Sequence, residues 1–257
     1  MLRRETEKRT PAPKTVAALA DPVFDADDLR ALEAKGLIKG ATQRQVAANR
    51  PSQTISGQGL TRGENLGRLR YTRREVEAIR RVVPAENGLF ALDFDADRAK
   101  ATSAELRQYR IIHFATHGIL DSQNPDLSAI VLSRIDRQGN PQDGFLRLHD
   151  IYNLNLPAEL VVLSACDSAL GKEIKGEGLV GLTRGFMYAG AARVMASLWQ
   201  VDDEATSVLM EQFYRRMLND RMSPAAALRE AQIAIWRQPR WSAPYYWAAF
   251  VMQGEWK

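Results

Sequence analysis

The chain carries one cysteine, Cys166, in the run Leu163-Ser164-Ala165-Cys166-Asp167-Ser168. Upstream, His117 closes the run His113-Phe114-Ala115-Thr116-His117-Gly118. A thiol becomes an effective nucleophile when an imidazole beside it can take and return a proton. Both residues follow short apolar runs, Arg110 to Thr116 and Leu160 to Ala165, which read as buried strands. Neighbouring parallel strands that each deliver a reactive side chain at the carboxyl end would set thiol and imidazole side by side. The pattern therefore predicts His117 and Cys166 as a catalytic pair. A glycine after the histidine lets a substrate carbonyl approach the backbone, so the N–H groups of Gly118 and Cys166 are the expected oxyanion hole. A lone cysteine is more often a small buried hydrophobe. Its place just past an apolar run, opposite a histidine in the same situation, shifts the reading toward chemistry.

Other chemistries fit less well. His113 and His117 form an H-x-x-x-H pair, but on a strand four residues separate them by roughly 13 Å, too far for one ion. His113 reads instead as a structural histidine within the sheet, and His149 receives no role. No metal and no cofactor are expected. The glycines at 171, 176 and 178 lack the G-x-x-x-x-G-K-[ST] pattern of a phosphate loop, with Glu177 where the lysine belongs. No G-x-S-x-G elbow is present. Asp202 and Asp203 open a helical run, where capping worth about 0.5–2 kcal/mol is the plain role. The sharper alternative is that one of them lines a pocket beside the site.

The elements that must position these residues alternate. The expected strands are Thr15–Ala20, Leu89–Phe94, the His117 strand, Leu127–Leu132, the Cys166 strand, Ala192–Leu198 and Tyr245–Met252. The expected helices lie near 27–35, over 73–83, 103–109, 148–154, 179–188 and 203–218, with a last one starting at Ser223-Pro224. Serine there is the cap and proline the first helical residue. Gly190 is a stop. Alternation of this kind predicts an α/β fold, a mostly parallel sheet covered on both faces. Residues 1–14 read as a polar lead-in and 15–257 as one domain, with 25–70 a polar insertion. The loop over 171–178 is expected to be easily displaced.

With 257 residues, 45% hydrophobic and 26% charged, the chain has the composition of a globular domain. Its net charge of +4 is spread in both signs, so a solvated surface is expected and nucleic acid is not. A single cysteine excludes an internal disulfide and fits a reducing, cytoplasmic setting. No apolar run is long enough to span a membrane.

From about Ile111 onward the sequence resembles the CHAT domain family, caspase-like cysteine peptidase domains often found behind TPR repeats. The matching stretches are His113-Phe114-Ala115-Thr116-His117-Gly118, Leu163-Ser164-Ala165-Cys166-Asp167-Ser168, Gly176-Glu177-Gly178-Leu179 and Tyr188-Ala189-Gly190-Ala191. Ser197-Leu198-Trp199-Gln200-Val201-Asp202-Asp203 and Pro244-Tyr245-Tyr246-Trp247-Ala248-Ala249-Phe250 continue the match. Upstream, Ala20-Asp21-Pro22-Val23-Phe24 and Thr72-Arg73-Arg74-Glu75-Val76-Glu77 are similar to earlier landmarks of the family. Ala169 departs from the glycine common there.

The resemblance implies a caspase-like three-layer α/β/α sandwich, histidine at His117 and nucleophile at Cys166. It also implies a protein substrate, and TPR repeats or a regulatory partner in a longer chain. The alternative is a catalytically silent regulatory or protein-interaction domain on the same fold. The Leu198–Asp203 segment also resembles the part of separases that leads to a pocket aspartate. Asp203, with Asp202 as fallback, is thus the candidate for a preference for arginine or lysine before the scissile bond.

Overall fold

The computed structural model describes residues 11–38, 66–120, 124–164 and 177–255. Cys166, most of the 25–70 segment and the loop 171–176 lie outside the described residues.

The central strands are β1 (Lys14–Pro22), β2 (Gly88–Asp93) and β3 (Tyr109–Ala115). A small group follows: β4 (Gly118–Ile119), β5 (Ala129–Val131) and β6 (Phe145–Arg147). The rest are β7 (Leu160–Leu163), β8 (Arg193–Ser197) and β9 (Phe250–Gly254). Among the described residues the main sheet has the order β2-β1-β3-β7-β8-β9. Its pairings are parallel except β8 with β9. The α-helices are α1 (Leu29–Ala34), α2 (Arg70–Val82), α3 (Arg98–Ala101), α4 (Leu148–Tyr152) and α5 (Glu177–Tyr188). They continue with α6 (Asp203–Leu218), α7 (Pro224–Trp236) and α8 (Pro244–Trp247).

The layers follow from alternation along the strands, because successive side chains point to opposite faces. Leu19, Ile112, Phe114, Val161 and Val194 face one side, packed with Leu148, Ile151, Leu182 and Phe186 of α4 and α5. Ala18, Ile111, Val162 and Met195 face the other, packed with Val76 and Ile79 of α2, Leu209 and Phe213 of α6, and Leu228 and Ile235 of α7. This is a three-layer α/β/α arrangement.

Several elements differ from expectation. Leu127–Leu132 contributes the short β5, which pairs antiparallel with β4 and β6 in a separate sheet rather than joining the main one. The final strand begins at Phe250, because Pro244–Trp247 forms a helical turn with proline at its first position. Helix α2 starts at Arg70, not after Thr72. Leu69 offers no side-chain cap, and Asp203 Oδ2 instead accepts from Tyr71 N at 3.0 Å. The Thr72 hydroxyl donates to Leu69 O and accepts from Asp21 N. The start is thus capped by distant residues, which local sequence does not display. The 103–109 run is a 3₁₀ segment, Ala104–Gln108, preceded by α3.

Candidate functional site

In open parallel sheets, ligands bind beyond the carboxyl ends of the strands, where the strand order reverses. Here the chain passes from β1 to β2 on one side and to β3 on the other, so the reversal lies between β1 and β3. His117 stands just past the end of β3 and is 3% exposed. Backbone and ring contacts fix it. Its Nε2 lies 2.6 Å from Gly67 O. Its ring lies 5.0 Å from the Phe24 ring, centroid to centroid, tilted by 54°. Its own carbonyl accepts from Val131 N at 2.9 Å. A carbonyl only accepts, so the Gly67 contact requires the proton on Nε2. The neutral ring then carries its basic lone pair on Nδ1.

Gly118, the other backbone candidate beside the histidine, is buried at the start of β4, opposite Ile130. The neighbouring strand β7 pairs in register with β3, Phe114 opposite Leu163. The pairing continues to Ser164, whose N–H donates to Phe114 O at 2.8 Å. His117 and Cys166 follow Phe114 and Leu163 at equal offsets in sequence. Cys166 itself lies outside the described residues.

The two aspartates occupy different positions. Asp202 is the cap of α6, its Oδ1 accepting from Ala205 N at 2.8 Å. Asp203 turns toward the start of α2 through its contact with Tyr71 N. Burial pushes the Asp203 carboxyl up to about 6. The Tyr71 hydrogen bond opposes this, and the charges of Glu75, Asp202 and Asp21 add to it.

Sequence reasoning missed the polar cluster at the ends of β1 and β2. Asp21, at φ 49° and with its side chain fully buried, is held by three arginines. Arg68 grips it in parallel, Nε to Oδ1 at 2.7 Å and Nη2 to Oδ2 at 2.6 Å. Arg73 Nε reaches Oδ2 at 2.8 Å and Arg30 Nη1 lies 3.2 Å from Oδ1. Arg30 and Arg73 also pair with Asp93. Burial alone would raise the Asp93 carboxyl, but hydrogen bonds from Arg73 and Arg30 outweigh it and hold it below its ordinary value. The one local signal was Asp21-Pro22 at a strand end.

His113 takes no part in this end of the sheet. It is fully buried on the opposite face, with Nδ1 2.9 Å from the Tyr214 hydroxyl and Nε2 2.7 Å from Glu75 Oε1, off the ideal hydrogen-bond axis. It ties α2 and α6 to the sheet. His149 is exposed beside Asp150. Among the described residues no group of three or more His, Cys, Asp or Glu is placed to hold a metal ion. Nor is any helix there long and apolar enough to cross a membrane.

The profile of the CHAT domain family matches residues 1–255. Tetratricopeptide repeat protein 28 of Homo sapiens is 35% identical over 113 residues, covering 44% of this chain and 4% of that protein. The Mus musculus protein of the same name is 31% identical over 194 residues, covering 62% of this chain and 8% of that protein. The chain thus corresponds to a small part of these relatives. Among solved structures, the Saccharomyces cerevisiae separase–securin complex aligns over 98% of this chain and 13% of its own, at TM-score 0.48 and 12% identity.

Proposed function

We propose, from the premise that this chain belongs to the CHAT domain family, that it is a cysteine endopeptidase domain working with His117 and Cys166. The observation that carries this is the anchoring of His117. Its Nε2 is held by Gly67 O past the end of β3, while the adjacent β7 leads within three residues to the chain's single thiol.

In this mechanism His117 takes the Cys166 thiol proton on Nδ1, and the sulfur attacks the scissile carbonyl. A C–S bond forms and the carbonyl electron pair moves to oxygen, stabilised by the N–H groups of Gly118 and Cys166. Collapse of that intermediate breaks the C–N bond, and His117 supplies the proton to the leaving amine. His117 then takes a proton from water as the water oxygen attacks the thioester, the C–S bond breaks, and the proton returns to the Cys166 sulfur.

The relatives' name supports a place beside tetratricopeptide repeats in a longer protein. We place the domain's work in the cytoplasm, where a lone thiol stays reduced. Asp203 carries the finer proposal of specificity. A carboxylate in a partly desolvated site favours an arginine, which can meet it with two parallel hydrogen bonds.

Cleavage of a peptide library by the full-length protein tests the reading. Cys166-dependent cleavage, lost in Cys166→Ala, is the expected result. Absence of cleavage together with an inert Cys166 toward thiol probes would overturn it in favour of a silent interaction domain.

A further inference from the structure

The segment that reaches His117 is short and held from both sides. Leu66 is buried with Phe24, Ile119 and Val131. On the other side of Gly67, Arg68 grips the buried Asp21 with two parallel hydrogen bonds. Gly67 itself makes no steric demand, because a Cβ there would meet nothing within 4 Å. The position of its carbonyl is therefore set by its neighbours.

Asp21 is a firm anchor. It lies one residue before the end of β1 in a left-handed conformation that asparagine and aspartate tolerate better than most residues. Its N–H donates to the Thr72 hydroxyl, and its carboxylate meets Arg30 and Arg73 as well as Arg68. Arg30 and Arg73 divide their contacts between Asp21 and Asp93. Arg68 is the member one peptide bond from Gly67.

We infer that Arg68 is a positioning residue: its fork on Asp21 holds Gly67 O against His117 Nε2 and thereby fixes the orientation and tautomer of the ring. The inference rests on the reading of His117 as the acid–base group. A small displacement of such a group costs a large factor in rate, and a planar guanidinium fixes geometry in a way an ammonium does not.

The test compares Arg68→Ala, Arg68→Lys and Arg30→Ala in the full-length protein. Arg30 belongs to the same cluster, where it also donates to the Asp21 and Pro22 carbonyls, but is remote in sequence from Gly67, so it controls for disturbance of the cluster as a whole. The direct readout is the ¹⁵N chemical-shift pattern of His117, which distinguishes the two neutral tautomers and needs no turnover. The wild type should show the Nε2–H form. Arg68→Ala should show a mixture, Arg68→Lys a smaller change, and Arg30→Ala the wild-type pattern. In peptide cleavage, kcat of Arg68→Ala should fall on the order of 10- to 100-fold with KM within about twofold.

A wild-type ¹⁵N pattern in Arg68→Ala overturns the inference, as does an equal change in Arg30→Ala. Should Arg68→Ala fail to fold, an unchanged pattern in the folded Arg68→Lys variant overturns it too. A tautomer change in a protein without peptidase activity supports the positioning role and overturns only the enzymatic reading. An unchanged tautomer in an active, Cys166-dependent enzyme does the reverse.

Discussion

At the residue scale, the two buried histidines make opposite predictions. His117→Ala should lower kcat on the order of 10²–10⁴-fold, the range of a general acid–base, in protein that still folds. His113 lies among Glu75 and Tyr214 on the helix-packed face of the sheet, away from the strand ends. Tyr214→Phe removes the hydroxyl that meets His113 Nδ1 and leaves a buried ring nitrogen without that hydrogen bond. The expected cost is about 1–3 kcal/mol of stability, read by denaturant unfolding, with kcat/KM unchanged in the folded protein. A large loss of kcat at unchanged stability would mean that the wrong histidine has been assigned to the chemistry. The difference between them was legible from spacing, since a four-residue separation on a strand already keeps them apart. Their partners were not. Glu75 and Tyr214 come from helices far along the chain, and Gly67 reaches His117 through its backbone, which carries no side-chain signature.

At the element scale, what the sequence displays depends on element length. Helix α6 runs over Asp203–Leu218 as its apolar stripe predicts, and α7 starts at Ser223-Pro224 with the serine accepting from Ala226 N. The strands β1, β3, β7 and β8 are buried on both faces and appear as apolar runs. Of the sheet β4-β5-β6 only β5 was expected, within Leu127–Leu132, because strands of two or three residues such as β4 and β6 are too short to show a period. Tyr245, Tyr246 and Trp247 have side chains typical of strands, yet Pro244 opens a helical turn over them.

Edge strand β9 offers a test of backbone demand. Gly254 has φ +106°, and a Cβ there would lie 2.3 Å from Ala192 O. Gly254→Ala should therefore cost about 1–3 kcal/mol, measured by chemical denaturation. A variant as stable as the wild type would show that the strand end shifts freely. A cap has a smaller effect: Asp202→Ala should cost about 0.5–2 kcal/mol through loss of its bond to Ala205 N.

At the scale of the whole molecule, two groups of carboxylates give stability a pH dependence of opposite sign. Asp93 sits between Arg73 and Arg30, and Asp28 pairs with Arg30; although burial opposes it, these arginine hydrogen bonds hold both carboxyls below their ordinary value. The unfolded chain then binds protons at higher pH than the folded one. Their contribution is present above about pH 4 and is lost as pH falls through the folded values. Asp203 works the other way. Burial, with the neighbouring acids, raises it from 3.8 to about 6, so the folded state holds its proton longer than the unfolded state. Stability is then lost as pH rises between those two values, and the penalty is complete above about pH 6. The combined contribution of these three groups is greatest on the acid side of neutrality. Asp203→Asn keeps an acceptor for Tyr71 N but removes the charge. It should raise stability at pH 8 by about 1–3 kcal/mol and leave it nearly unchanged at pH 4. Denaturant titrations of both proteins at pH 4, 5 and 8 measure this. A wild type that gains stability from pH 5 to 8, with no benefit from asparagine, would remove Asp203 as a buried acid. If Asp203 also meets a basic substrate side chain, the bound cation should stabilise the ionised form and shift its titration downward. The stabilised variant should then lose kcat/KM for arginyl peptides while keeping it for neutral ones, a separation of stability from specificity that helix capping alone would not produce.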